Sequence, residues 1–237
     1  MTETYGTKID LSDYKTTRSG YTFDGWYSDK DLKNEVTTIT LKSSTTVYAK
    51  WTEGSEMSFT DVKSGDWFYD AVEYAYNKGL MNGTGSNQFS PELSTTRGMI
   101  VTMLWRLEGE PSAATSSFTD VAADQYYAKA VNWAVAKNVV TGMDAKTFAP
   151  NSPITREQLA TILYRYAEYK EYSVKDTNDL AKFPDAGSVS SYATDAMKWA
   201  VGAGLVNGMD GKLNPTGGAT RAQVATMFMR FCENIVK

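Results

Sequence analysis

Two periods of apolar and polar residues run along the 237-residue chain. In the first fifty residues the apolar positions are β-branched and aromatic. They fall in short runs split by polar turns: Gly20-Tyr-Thr-Phe-Asp-Gly-Trp-Tyr27, Thr37-Thr-Ile-Thr-Leu41 and Thr45-Thr-Val-Tyr-Ala-Lys-Trp51. Runs of this kind predict strands. Further on, the period becomes helical. Three stretches place apolar residues at i, i+3, i+4 and i+7: Ile100, Met103, Leu104, Leu107; Leu159, Ile162, Leu163, Tyr166; Val224, Met227, Phe228, Phe231. Each stripe predicts an amphipathic helix with one face turned to a core. Ahead of each lies a shorter helical pattern of small and aromatic residues: Ala71, Tyr74, Ala75; Ala130, Trp133, Ala134; Ala196, Trp199, Ala200.

These patterns are copies of one unit. Phe59-Thr-Asp-Val62 returns 59 residues later as Phe118-Thr-Asp-Val121, and 65 further on as the degraded Phe183-Pro-Asp-Ala186. The first offset also carries Gly83 to Gly142, Pro91 to Pro150 and Thr96-Arg97 to Thr155-Arg156. The second carries the last two on to Pro215 and Thr220-Arg221, with Ala196 and Gly208 one position late. That displacement implies a one-residue insertion near residues 187–191 and a deletion before Pro215. Each copy reads as helix–loop–helix. The first helix is expected to stop at Gly79, Asn138 and Gly204, which accept a left-handed cap. The second is expected to start at an N-capping Thr96, Thr155 or Thr220. Capping boxes fit Thr155 with Gln158 and Thr220 with Gln223, whereas Thr96 meets Met99. The chain therefore divides into a β-rich module at 1–52, a linker at 53–58, and repeats at 59–107, 118–166 and 183–237. The fold class is mainly α. Since no stripe can be buried alone, the three second helices are expected to meet in a central three-helix bundle.

Composition narrows the chemistry. No histidine is present, which excludes histidine general bases, Ser–His triads and histidine metal ligands within this chain. The single cysteine, Cys232, permits no internal disulfide and is expected to be a buried structural thiol in an apolar helix. A net charge of −4 argues against nucleic acid as a partner, but leaves room for a local anion site. No apolar run reaches the roughly 18 residues that a membrane span needs. The opening Met1-Thr-Glu-Thr-Tyr5 is polar, without signal-peptide character, and is expected of a segment of a longer protein. Asp61-Val-Lys-Ser-Gly-Asp66 superficially suggests calcium but lacks the alternating oxygen ligands and closing glutamate of an EF-hand loop, so no metal is expected there, and no cofactor is expected in the chain.

One triplicated residue sits in an awkward place. Arg97, Arg156 and Arg221 each follow the capping threonine directly. A cation in the first turn opposes the helix dipole at a cost of about 0.3–1 kcal/mol. Two compatible readings explain its retention. One is a buried salt bridge to Asp61, Asp120 or Asp185. The other is an anion site, in which guanidinium forks and free N–H groups at the helix start await a carboxylate or phosphate. Trp67, Tyr126 and Tyr192 stand at equivalent positions before the first helices, where they serve either as core or as stacking surfaces for sugar rings.

The assembled unit reads F-x-D-V, an aromatic before an Ala-bearing helix, a glycine loop, then P-x4-T-R. It resembles the S-layer homology (SLH) domain, with three tandem copies from Phe59 to about Phe231. The family's T-R-A-E signature falls on Thr96-Arg97-Gly98-Met99, Thr155-Arg156-Glu157-Gln158 and Thr220-Arg221-Ala222-Gln223. None keeps the final glutamate, and the first departs most. The resemblance implies a three-pronged spindle around a central bundle, with ligand grooves between repeats. It implies non-covalent anchoring of a secreted protein to a bacterial, Gram-positive cell surface, through a secondary cell-wall polysaccharide often capped by pyruvylated N-acetylmannosamine. Carried over residue by residue, Arg97, Arg156 and Arg221 would contact the anion. Asp61, Asp120 and Asp185 would be polar groove residues, and Gly83, Gly142 and Gly208 would let the ligand approach the backbone, with Trp67, Tyr126 and Tyr192 beside them. The first fifty residues resemble the Listeria–Bacteroides repeat through their G-Y-T-F-x-G-W-Y run and their closing Tyr48-Ala-Lys-Trp51, without its opening strand; a spacer role is implied.

Three classes of function follow. The leading one is a non-enzymatic carbohydrate-binding anchor. The second is a self-assembling surface-layer segment, with neighbouring subunits as partners. The third is a fragment of a glycan-active enzyme, for which the chain offers no isolated acid pair in a recognisable motif.

Overall fold

The computed structural model describes residues 4–14, 16, 21–53 and 57–236. Gly20 of the first expected strand, residues 54–56 of the expected linker and the opening residues 1–3 lie outside them. The chain forms two compact units, Met1–Ser58 and Phe59–Lys237.

Among the described residues the first unit contains four short strands: β1 (Lys8–Asp10), β2 (Tyr21–Tyr27), β3 (Thr38–Thr40) and β4 (Tyr48–Glu53). They pair antiparallel as β1 with β3 and β2 with β4, the latter with an irregularity between Phe23 and Gly25. The aromatic side chains supply the contacts that so small a module needs. Phe23 meets Trp26 and Trp51 edge-on at 5.3 and 5.4 Å, and the Trp26 indole N–H donates to the carbonyl of Tyr14 at 2.7 Å.

The described residues of the second unit form six α-helices, two per repeat: α1 (Tyr69–Asn77), α2 (Arg97–Leu107), α3 (Ala128–Ala136), α4 (Arg156–Tyr169), α5 (Thr194–Gly202) and α6 (Arg221–Phe231). The helix signals read from the sequence operate as local chemistry predicts. The first helices end with Gly79, Asn138 and Gly204 at φ of 66°, 58° and 73°. In each case the following amide bonds back over the last turn, as Leu80 does to Ala75, Val139 to Ala134 and Leu205 to Ala200, at 2.8–2.9 Å. Thr96, Thr155 and Thr220 cap the second helices, with full capping boxes at the last two. All the stripe residues but the half-buried Leu107 are buried, among them Ile100, Leu104, Leu159, Leu163, Val224 and Phe228 at 0% exposure. Cys232, expected inside, is half-buried: α6 ends at Phe231, and the thiol is hydrogen-bonded with the Tyr74 hydroxyl in a π-helical turn.

The helices pack chiefly between repeats. α3 lies against α2, α5 against α4, and α1 against α6. Each first helix thus joins the second helix of the preceding repeat, and the first repeat joins the last. Backbone bonds close the same cycle. Thr95 donates to Ala219, Ala219 to Ile154 and Ile154 to Thr95, at 2.9–3.0 Å. Those three residues are equivalents under the 59 and 65 offsets. No helix among the described residues is long and apolar enough to cross a membrane.

Candidate functional site

The second helices begin inside the next repeat's loop. At the first two helical positions, Arg97 and Gly98 donate their amides to the carbonyls of Ser152 and Pro150. Arg156 and Glu157 donate to Gly217 and Pro215, and Arg221 and Ala222 donate to Leu93 and Pro91, all at 2.8–3.0 Å. The third amide is taken by the capping threonine. The expectation of free N–H groups at these helix starts is therefore corrected. Backbone carbonyls of the neighbouring repeat occupy the donors that an isolated helix would leave orphaned.

The arginine side chains follow their amides across the same seam. Each is 5–6% exposed. Arg97 donates through Nε to the carbonyl of Phe148 and through Nη2 to that of Thr141, with its guanidinium 4.7 Å from the centre of the Phe148 ring. Arg221 repeats this with Phe89 and Asn82, at 2.7 and 2.6 Å, and lies over the Phe89 ring. Arg156 donates through Nε to Leu213, where no ring is available. None of the three forms an ion pair; those among the described residues are Lys33–Asp31 and Lys170–Glu108. Burial lowers all three guanidinium pKa values, as expected where a charge leaves water without a contacting counter-ion. Asp120, Asp185 and Asp61 oppose that shift at Arg97, Arg156 and Arg221 from beyond contact distance.

Two of the arginines face clefts. A cavity of about 300 Å³ over α4 brings together Arg97, Gly142 and Tyr192 with Met143, Thr161 and Arg165. One of about 310 Å³ over α6 brings together Arg156, Gly208 and Trp67 with Met209, Thr226 and Arg230. Every repeat contributes: an arginine from one, a glycine loop and helix from the next, an aromatic from the third. The same plan recurs at α2, where Arg221 reaches Asn82 and the Tyr126 side chain is hydrogen-bonded with Thr96. Trp67, Tyr126 and Tyr192 are exposed by 66, 57 and 53%, so the core reading does not apply to them. The Tyr192 pKa is pushed up to about 12 by burial and by its bond to Glu157, against the pull of Arg97 and Arg165.

The aspartates stand behind these clefts, without lining the two cavities. Asp61 accepts the amides of Phe89 and Ser90, Asp120 those of Phe148 and Ala149, and Asp185 those of Leu213 and Asn214, at 2.7–2.9 Å. Each carboxylate thus closes its own repeat's loop just before the proline-led turn. At Asp61 and Asp185 burial works to raise the pKa, but the two amides outweigh it and the value falls below the ordinary 3.8. The glycines have a packing reason of their own. A Cβ at Gly83, Gly142 or Gly208 would lie 2.7, 2.5 or 2.7 Å from the ring of Phe59, Phe118 or Phe183 of the repeat-opening motif. No group of three or more Cys, Asp or Glu residues that could hold a metal occurs among the described residues.

A second set of arginines was missed at the sequence level. Arg106, Arg165 and Arg230 each lie nine positions after the first set. Arg165 and Arg230 line the clefts, and Arg106 and Arg230 donate to the carbonyls of Leu80 and Leu205. The same offsets that found Arg97 would have found them.

Comparison with known proteins accords with this triplicate plan. The S-layer homology domain matches residues 58–98, 117–160 and 182–225, more than half the chain, and the Listeria-Bacteroides repeat domain matches residues 1–50. The chain belongs to the SLH domain family. SLH domains are anchoring modules, and the protein is a secreted, cell-surface one. Relatives include an endoglucanase of Bacillus sp. (strain KSM-635), 34% identical over 70% of this chain and 18% of its own length. Another is the exoglucanase XynX of Acetivibrio thermocellus, 30% identical over 75% of this chain and 16% of its own. The surface-layer 125 kDa protein of Lysinibacillus sphaericus is 29% identical over 70% of this chain and 14% of its own. The chain spans less than a fifth of the length of these relatives.

Proposed function

We infer that this SLH segment holds a larger secreted protein on the cell wall by binding an acidic, pyruvylated secondary cell-wall polysaccharide in the clefts between repeats. The observation that carries this reading is the pairing, in each of two clefts, of two arginines with an exposed aromatic ring. A carboxylate-bearing sugar needs both: a guanidinium fork for the acid and a flat apolar face for the ring. In this reading Arg97, Arg156 and Arg221 serve the anion, Trp67, Tyr126 and Tyr192 stack, Gly83, Gly142 and Gly208 keep the cleft floor flat, and Asp61, Asp120 and Asp185 hold that floor in shape. The closed cycle of bonds through Thr95, Ile154 and Ala219 supports a three-pronged arrangement around α2, α4 and α6. The β-rich unit serves as a spacer toward the cargo.

Co-sedimentation with purified Gram-positive cell walls tests the reading. The chain is expected to bind intact walls, to lose binding once the non-peptidoglycan polymer is extracted, and to lose much of it after mild acid removes ketal-linked pyruvate. Equal binding to extracted walls refutes polymer recognition. Self-association in sedimentation velocity without polymer, together with no wall binding, would favour a self-assembling segment instead.

A further inference from the structure

The pseudo-threefold plan lets each cleft serve as a control for the others: two differences set the α6 cleft apart from its equivalents, and one sets the α4 cleft apart. The first is donor supply. Arg97 and Arg221 each commit Nε and Nη2 to carbonyls of the next repeat. Arg156 commits Nε alone, to Leu213. Among the described residues its two terminal nitrogens make no hydrogen bond, although the side chain is only 6% exposed and lines the cavity. Arg156 therefore keeps four N–H donors for a carboxylate, including a full unused pair of terminal nitrogens, where Arg97 and Arg221 keep three.

The second difference is charge. The residue after each arginine is Gly98, Glu157 or Ala222. Only the α4 cleft therefore carries a carboxylate at this position. Glu157 is 3% exposed and accepts the Ser190 amide at 3.0 Å, the Ser190 hydroxyl at 2.8 Å and the Tyr192 hydroxyl at 3.1 Å. The third repeat makes room for it. Its inserted residue falls in this stretch, and Ala193 stands where the other repeats have Phe68 and Tyr127. Glu157 thus ties down the stacking tyrosine and puts a carboxylate against the hydroxyl of the ring that shares the cleft with Arg97 and Arg165, opposing a second anion there. The third difference is the ring: the α6 cleft has a tryptophan, Trp67, packed against Phe68 at 5.3 Å and the broadest of the three aromatic faces.

We propose that the clefts are unequal, that the α6 cleft takes the ligand's carboxylate through a two-pronged contact with Arg156, and that Glu157 disables the α4 cleft for the same anion. The inference rests on the anchoring reading above and adds to it which cleft binds and why.

Calorimetric titration of the full chain with a pyruvate-ketal methyl hexoside, with its uncharged methyl ester as control, tests this beside wall co-sedimentation. The parent should bind the acid tightly in the α6 cleft and more weakly in the α2 cleft, which has no carboxylate beside it, and should bind the ester far more weakly than the acid. Arg156→Gln should lose about tenfold or more in affinity, the size expected for losing a charge-assisted pair, and Arg97→Gln should show the smaller loss. Glu157→Gln, which keeps the volume, should add a further weak binding event, in the α4 cleft, of the strength seen at α2. Ala222→Glu should remove the α6 event; circular dichroism reports whether that tightly packed variant folds, and Arg156→Gln decides the same point if it does not. Equal affinity for acid and ester, an unchanged Arg156→Gln, or unchanged stoichiometry in Glu157→Gln would each overturn the proposal while wall binding by the parent leaves the anchoring reading standing. A parent that binds neither walls nor ketal overturns both.

Discussion

Thr95 offers a substitution whose sign runs against the usual expectation for a buried position. Its side chain is 0% exposed, and its hydroxyl finds no hydrogen-bond partner among the described residues. The backbone is well used: the amide donates to Ala219 and the carbonyl accepts from Ile154. At the two equivalent places in the cycle the sequence carries Ile154 and Ala219, both apolar, so the environment does not demand a polar atom. Valine keeps the β-branched shape and both backbone bonds, and puts a methyl where the unpaired hydroxyl stood. An unpaired buried polar group costs about 1–3 kcal/mol. Taking the low end, Thr95→Val should stabilise the helical unit by about 1 kcal/mol, or about 2–4 °C in Tm for a domain of this size. Thermal and urea unfolding followed by circular dichroism at 222 nm, a helix band to which the strands of the first unit contribute little, would measure it. A Tm equal to or below the parent's refutes the reasoning, since it would mean that the hydroxyl has a partner worth keeping.

The glycine loops give the opposite sign. A Cβ at Gly142 would lie 2.3 Å from the Asp144 carbonyl and 2.8 Å from that of Thr147, as well as against the Phe118 ring. The Thr147 carbonyl is also held by the Met143 amide. Gly142→Ala should therefore cost about 1–3 kcal/mol of overpacking in urea unfolding. Gly187→Ala, where nothing lies within 4 Å, should stay within about 0.5 kcal/mol of the parent, and equal midpoints for the two would refute the packing account. Acid supplies a further check. The folded pKa values of Asp61 and Asp185 lie below the ordinary 3.8, so the stability they contribute is complete above that value and is lost as pH falls through the folded values. Urea midpoints should stay level above about pH 5 and drop below about pH 4, with a shallower drop in Asp61→Asn; parallel curves for parent and variant would show that the carboxylate does not drive it.

The parts of this molecule that depend on neighbours in sequence could be read directly. Capping threonines, the left-handed stops at Gly79, Asn138 and Gly204, and the apolar stripes are all decided within one turn or one loop, and each stands where the periodicity put it. What escaped reading was the partnership between repeats. The amides at the starts of α2, α4 and α6 looked unsatisfied because their acceptors come from the next repeat, as far as 131 residues away in the case of Ala222 and Pro91. The second arginines hid in plain periodicity, since an arginine late in an amphipathic helix reads as a solvated face. Glu157 could not be interpreted at all before Ser190 and Tyr192 were seen to reach it. Nor could the sequence say that the arginines would meet carbonyls and leave the aspartates to close loops.

The cyclic bonding also limits how such a protein can change length. A stacked array of repeats grows by duplication because each added unit meets an open end, and it requires special terminal units to cover those ends. Here Arg221 and Thr95 join the last unit to the first, so there is no exposed end to extend and no terminal unit to shield. A fourth copy would find every partner already engaged. Evolution of the anchor is thereby steered toward changing side chains within three fixed clefts, which is where Glu157, Leu213 and Trp67 depart from their counterparts.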